Sequence, residues 1–166
     1  HVDSSAASDV YKRQVVGAKI GRPDVPVVGF SGDGAFGIAV NELTAIGREE
    51  WPAVTQIVFR NYQWGAEKRN STLWYDDNFV GTELDTQVSY AGIAKACGLQ
   101  GVVAKTMDEL TEALHTAIKD QMENGKTTLI EAMINQELGE PFRRDAMKKP
   151  VAVAGVSASD MREQVA

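Results

Sequence analysis

At 166 residues, 43% hydrophobic and 24% charged, the chain has material for one globular domain with a substantial core and too little for several. A formal charge of -6 and a pI near 4.9 argue against nucleic acid or an anionic membrane as a general partner, while leaving room for a local anion site. Cys97 is the only cysteine, which excludes an internal disulfide and a cysteine-built zinc cage, and no apolar run reaches the roughly 20 residues of a spanning helix; a soluble, cytoplasmic protein is expected.

The opening HVDSSAASDVYKRQ, residues 1–14, shows neither helical nor strand periodicity. Its SSAASDVYKRQ run has the character of translated adapter sequence, so residues 1–14 are read as a non-native leader, with the native frame beginning near Val15. From Val25 the pattern becomes regular. VPVVGF predicts a short buried strand and GDGA a turn, and Phe36 to Glu49 predicts one helix with Phe36, Ala39, Val40, Leu43 and Ile46 on its apolar face, closed by Trp51 and Pro52. AVTQIVF, Ala53 to Phe59, is a second buried strand, and a strand-helix-strand unit of this length implies parallel pairing.

Ser89 to Cys97 reads as a helix stopped by Gly98, with Cys97 a small apolar residue at its end, and GVVA from Gly101 as a third strand. Thr106 and Glu109 match a capping box opening a helix whose inner face is Leu110, Ala113, Leu114, Ala117, Ile118 and Met122 and which ends at Gly125. His115 falls off that stripe and faces solvent, and TTLIEAMI, Thr127 to Ile134, is the fourth strand. Alternating strands and helices with near-continuous apolar strands describe an α/β fold, a parallel sheet with helices on both faces. Residues 60–87 are too long and too aromatic for a plain connector, and residues 151–166 read as a loose tail.

Ligands of a parallel sheet gather at the carboxyl ends of its strands. Asp33, between Gly32 and Gly34, and Asn61 each follow such an end, and the 26 residues 35–60 between GDG and Asn61 are what one crossover helix and one return strand require. Gly32 and Gly34 let backbone amides approach a ligand, and the following helix turns its free N–H groups to the same place, which suits phosphate. A carboxylate beside phosphate needs a cation between them, and magnesium, a hard ion seeking about six oxygens, meets that need. Alone, Asp33 reads equally as a helix N-cap and Asn61 as a turn residue; their spacing on consecutive parallel strands favours a metal-diphosphate site.

GDGA followed after 26 residues by RNYQWG resembles the signature of thiamine-diphosphate enzymes, carried in their C-terminal diphosphate-binding domain, a flavodoxin-like build. The resemblance implies that Asp33, the Asn61 side-chain oxygen and the Gln63 carbonyl ligate Mg2+, and that amides around Gly34 and Ala35 hold the diphosphate. Many relatives have Asn-Asn where this chain has Asn61-Tyr62, a change beside the metal position.

The longer strings FRNYQWGAEKRN, FVGTELD, SYAGIAKA, GKTTLIEAMI and ELGEPFRRDAMKKP resemble the sulfoacetaldehyde acetyltransferase family over residues 15–150. That implies an acyltransferase of sulfonate catabolism: the cofactor carries the carbanion chemistry, sulfite leaves sulfoacetaldehyde, and the acetyl group passes to phosphate as acetyl phosphate. It also implies a missing N-terminal pyrimidine-binding domain and a homodimer or homotetramer when full length. The glutamate that activates the cofactor belongs to that domain of a partner subunit, so no catalytic acid or base is assigned here.

Trp64, Lys68, Arg69 and Trp74 are candidates to face substrate, Lys68 and Arg69 as donors to sulfonate or phosphate, against the plainer reading of a solvated helix face with packed tryptophans. Arg143, Arg144, Lys148 and Lys149 read as a solvated basic run. Rival readings are an acetolactate synthase or 2-oxoacid decarboxylase of the same cofactor family, and a non-catalytic phosphate- or nucleotide-binding module.

Overall fold

Four parallel strands are laid down where the apolar runs predict them. In this computed structural model, residues 7–48 and 50–137 are described, without the side chains of 7–13, 70, 73 and 74. Helix α1 (Ala7–Gly21) is followed by β1 (Val28–Gly32), α2 (Asp33–Ile38), a 3-10 turn (Val40–Glu42), α3 (Leu43–Ile46), β2 (Thr55–Arg60), α4 (Gly65–Trp74), α5 (Tyr90–Ala96), β3 (Gln100–Ala104), α6 (Met107–Glu123) and β4 (Thr128–Met133). The sheet order is β1-β2-β4-β3, all parallel. The last strand therefore inserts between β2 and β3, with Val58 opposite Glu131 and Arg60 opposite Met133.

Side chains alternate across each strand, so each core strand feeds two cores. On one face Val58 and Leu129 meet Phe36, Leu43, Tyr90, Ala91 and Ala94; on the other Ile57, Ile130 and Ala132 meet Ala104, Ala113 and Ala117. Phe36 and Tyr90 cross edge to face at 5.1 Å, a pairing that adds to simple burial. Gly101 lies so close under α5 that a Cβ there would come within 2.1 Å of the Ala91 carbonyl oxygen. Thr106 accepts the Glu109 N–H at 3.1 Å, as the capping box requires, while the Glu109 carboxylate accepts from the Lys105 N–H at 2.6 Å. Gly98 and Gly125 end their helices with φ of 81° and 60°, the left-handed cap for which glycine is suited.

Four expectations need correction. The predicted helix 36–49 is three short pieces: Ala39 leaves helical geometry at φ -123°, ψ 38°, in a stretch where Gly37 and β-branched Val40 weaken helical propensity, although Phe36, Ala39 and Leu43 are buried as predicted. Asp33 is already the first residue of α2 and Gly32 the N-cap, so Asp33 is no N-cap. The buried stripe of α6 ends on Gln121, whereas Met122 is 40% exposed, because Gln121 continues the Ala113–Ala117 spacing and finds polar partners. β1 is an edge strand, and Phe30 is exposed, stacked on Phe59 at 6.2 Å. Helix α1 begins at Ala7 and runs through Val15; it includes Ala, Lys, Arg and Gln, good helix formers that need no apolar stripe.

His115 is exposed and Cys97 packs at the edge of the first core, as expected. Residues 138–166, including the basic run 143–149 and the 151–166 tail, lie outside the described residues, as does the Trp74 side chain. Among the described residues no helix is long and apolar enough to cross a membrane.

Candidate functional site

β1 ends in Gly32, paired with Phe59, and β2 runs one residue further to Arg60, so the residues just beyond them share the carboxyl edge of the sheet. Asp33 is buried there at 2% exposure. Its Oδ2 accepts from the Asn61 N–H at 3.1 Å, the Tyr62 N–H at 2.7 Å and Arg60 Nη1 at 3.2 Å; Oδ1 accepts from the Gly34 N–H at 2.9 Å. The two strand tips are thus joined through one carboxylate, and Asp33 meets Asn61 first through backbone. The Asn61 side-chain oxygen accepts from the Gln63 N–H at 3.3 Å, an Asx-type turn. Tyr62 takes a left-handed φ of 60°, which brings its N–H onto Asp33.

Beyond the turn, Gln63 bridges antiparallel to Glu83. The bridge hydrogen bonds run from the Trp64 N–H to the Thr82 carbonyl at 2.7 Å and from the Leu84 N–H to the Tyr62 carbonyl at 2.8 Å, and neither uses the Gln63 carbonyl. Gln136 closes the arrangement, its Nε2 donating to the Asn61 carbonyl at 3.0 Å while its own carbonyl accepts from Gln63 Nε2 at 2.9 Å. Two buried oxygens, Gln63 Oε1 and Thr82 Oγ1, have no hydrogen-bond partner.

The glycines divide by role. A Cβ on Gly34 would strike the Trp64 indole at 2.8 Å, so Gly34 and Trp64 are in mutual contact. A Cβ on Gly32 would meet nothing within 4 Å, and its backbone is extended at φ -74°, a conformation open to any residue. Neither packing nor conformation inside the protein demands glycine at 32, which leaves clear space at the strand tip for a ligand to approach the backbone.

Three residues beneath this edge were missed by sequence reasoning. Arg60 is fully buried between two carboxylates, 3.2 Å from Asp33 Oδ2 and, through Nε, 3.4 Å from Glu131 Oε1. Glu131 is held in turn by Ser89 Oγ at 2.9 Å and the Ala91 N–H at 3.1 Å. The Tyr90 hydroxyl donates to the Asp33 carbonyl at 2.9 Å, and burial pushes it above its ordinary value, with the Asp33 and Glu131 carboxylates adding to the rise and Arg60 opposing it. The available signal was a charge at the end or in the middle of an otherwise apolar strand, QIVFR and LIEAM, because charges are seldom buried without partners.

Of the candidates on α4, Lys68 pairs with Glu83 and lies 5.3 Å from the centre of the Phe79 ring, and Trp64 packs on Gly34. Arg69 also has a partner.

Among the described residues no group of three His, Cys, Asp or Glu side chains is placed to hold a metal, so a cation here must draw on amide and backbone oxygens. Asp33 Oδ1 and Asn61 Oδ1 each take one hydrogen bond, and a carboxylate or amide oxygen has room for two. Such oxygens, with backbone carbonyls, are the kind of donor that Mg2+ takes.

Known proteins resemble the chain along most of its length. Residues 14–132 match the family described as thiamine pyrophosphate enzyme, C-terminal TPP binding domain. The chain is 87% identical over 150 residues, 90% of its length, to a sulfoacetaldehyde acetyltransferase of Roseovarius nubinhibens, and 78% identical over the same share to one of Rhodobacter capsulatus; it spans 25% of the length of each. An acetolactate synthase large subunit of Escherichia coli matches at 29% over 62% of the chain and 19% of its own length. Among solved structures, a thiamine diphosphate-dependent 4-hydroxybenzoylformate decarboxylase of Rhodococcus jostii superposes with a TM-score of 0.64 at 26% identity, covering 75% of this chain and 23% of its own. A parallel sheet whose strand-tip Asp and Asn share one edge, inside a match that covers most of the described residues, places the chain in the thiamine pyrophosphate enzyme family as a C-terminal TPP-binding domain.

Proposed function

We propose that this chain is the diphosphate- and magnesium-binding part of an acyltransferase that converts sulfoacetaldehyde and phosphate to acetyl phosphate and sulfite. The observation that carries the reading is the joined pair of strand tips, Asp33 hydrogen-bonded to the Asn61 and Tyr62 amides. The substrate is supported by the steep fall in identity from the sulfoacetaldehyde acetyltransferases to the acetolactate synthase.

In this reading Asp33, the Asn61 side-chain oxygen and the Gln63 carbonyl hold Mg2+. Gly32 keeps the approach clear, and the amides of Gly34 and Ala35 receive the diphosphate. The Gly34 N–H, now bonded to Asp33 Oδ1, would exchange that bond for one to phosphate at little net cost, because one charge-assisted hydrogen bond replaces another. A cation held by these oxygens would screen the Asp33 carboxylate from the phosphates, whose repulsion is otherwise strong among buried charges. Bound thiamine diphosphate supplies the carbanion chemistry at the aldehyde carbon. The chain's own residues bind, orient and exclude water. Trp64 closes one side against Gly34, and Lys68 and Arg69 on α4 are the donors nearest in sequence for an anionic substrate.

The domain spans residues 15–150, and the glutamate that activates the cofactor belongs to an N-terminal pyrimidine-binding domain of a partner subunit in a cytoplasmic homodimer or homotetramer. The 166-residue chain alone therefore turns nothing over. Isothermal titration of the full-length protein with thiamine diphosphate should show Mg2+-dependent binding that Asp33→Ala abolishes. Sulfite release from sulfoacetaldehyde, with no turnover of pyruvate, is the expected activity; turnover of pyruvate alone would transfer the assignment to the synthases and decarboxylases, and metal-independent binding would reduce the site to a phosphate cradle.

A further inference from the structure

Arg60 takes no part in the reading above, yet no side chain in the described residues is more completely enclosed. Nη1 donates to Asp33 Oδ2 at 3.2 Å, and Nη2 donates to the Asp85 carbonyl at 2.7 Å and the Val88 carbonyl at 2.9 Å. Nε sits 3.4 Å from Glu131 Oε1. The flat guanidinium lies 4.2 Å from the Tyr62 ring centre and 4.8 Å from that of Tyr90. Only a planar, delocalised cation fits such a slot; a lysine ammonium has neither the fork nor the faces.

The effect on Asp33 is asymmetric. Oδ2 receives three donors, Arg60 Nη1 and the amides of Asn61 and Tyr62, more than its two lone pairs can serve well. Oδ1 receives one, from its neighbour Gly34. The carboxylate is therefore turned so that one oxygen is committed to the protein and one is left for a ligand.

We propose that Arg60 is a positioning residue that forms the cation site in advance and makes Asp33 a one-oxygen ligand, and that Glu131 steadies Arg60 from behind. The proposal rests on the reading that Asp33 holds the metal. It extends that reading to ion choice: Mg2+ demands near-octahedral order and takes carboxylates through single oxygens, whereas Ca2+ accepts two-oxygen carboxylates and looser shells. Locking Oδ2 discriminates against the larger ion. Arg60 also ties the 85–88 segment to the site through two carbonyls, so that segment is ordered before the cofactor arrives.

The test uses the full-length protein and its Arg60→Lys and Arg60→Met variants. Thiamine diphosphate binding is followed by tryptophan fluorescence, since Trp64 lies against Gly34, while Mg2+ and Ca2+ are titrated separately. Hydrogen exchange is measured at the Asn61 and Tyr62 amides in the metal-free protein. In both variants the half-saturating Mg2+ concentration should rise at least tenfold and that of Ca2+ less than threefold, with faster exchange at the two amides. Equal weakening for both ions, as general loosening produces, or an unchanged Mg2+ to Ca2+ ratio with unchanged exchange, would overturn the proposal. Arg60→Lys keeps a positive charge near the two carboxylates while losing the fork, so it decides the matter should Arg60→Met fail to fold. Metal-independent cofactor binding by the unsubstituted protein would overturn the metal reading itself and this proposal with it.

Discussion

The two ends of the sheet are held by different chemistry. At the amino ends, Gln121 of α6 accepts from the Val27 N–H at 2.7 Å and donates to the Val27 carbonyl and to Thr55 Oγ1, both at 2.9 Å. Alongside, Thr128 Oγ1 donates to Gln100 Oε1 at 2.7 Å, and Gln100 donates to Asp120 at 3.0 Å. These are mostly neutral groups whose partners are supplied within the protein. At the carboxyl ends, a buried arginine stands between two buried carboxylates, Tyr62 has a left-handed backbone, and Gln63 and Thr82 keep unpartnered oxygens. Buried polar groups left unpaired are costly, and strained or half-satisfied groups gather where a protein meets its ligand. One end is built for stability and the other for binding.

Mutations at the two ends should separate along that line. Arg60→Met leaves Asp33 and Glu131 buried without their cation and should cost about 3–5 kcal/mol, read as a fall in the midpoint of urea unfolding. Gln121→Leu strips three hydrogen bonds from neutral partners and should cost about 1–3 kcal/mol while leaving the metal requirement of cofactor binding unchanged; a larger loss than that of Arg60→Met would break the contrast.

Tyr90→Phe removes the hydrogen bond to the Asp33 carbonyl, worth about 1 kcal/mol. Burial raises the Tyr90 hydroxyl above its ordinary 10.0, so its contribution is complete below pH 10.0 and is lost as the pH climbs through the higher folded value. Melting curves of the two proteins should therefore converge on the alkaline side and stay parallel near neutrality. The smallest effect should also have the opposite sign: Thr82→Val replaces an unpartnered buried hydroxyl with a methyl and should stabilise the ligand-free protein by up to about 1 kcal/mol. Destabilisation by that change would show that Thr82 Oγ1 is satisfied in solution and that the carboxyl end holds less strain than described.

What the sequence revealed follows the range of the interactions involved. The Thr106–Glu109 cap, the glycine stops at 98 and 125, and the four strands are set by neighbours a few residues apart, and they stand where periodicity puts them. Asp33 and Asn61 were legible for the same reason: an acid between glycines and an amide just past a strand are local signals. Long-range choices were not. Placement of β4 between β2 and β3 brings Arg60 beside Glu131 across 71 positions of sequence, and no local pattern reports that pairing. The exchange of Met122 for Gln121 on the buried stripe depends on Val27 and Thr55, far away in the chain. Hydropathy ranks methionine above glutamine; the partners waiting at the strand ends reverse the order.

Tyr62 carries a consequence for how this site can change over generations. A bulky residue at φ 60° sits where asparagine or glycine is far more comfortable. Its ring, resting on the Arg60 guanidinium, repays that discomfort through a cation-π contact. Asparagine at 62 would relax the chain but uncover the arginine, and an apolar residue at 60 would leave the tyrosine ring without its cation, with only the Asp33 hydrogen bond to hold the turn. Position 62 is therefore expected to vary only as far as the arginine beneath it allows, while the two buried carboxylates hold position 60 itself in place.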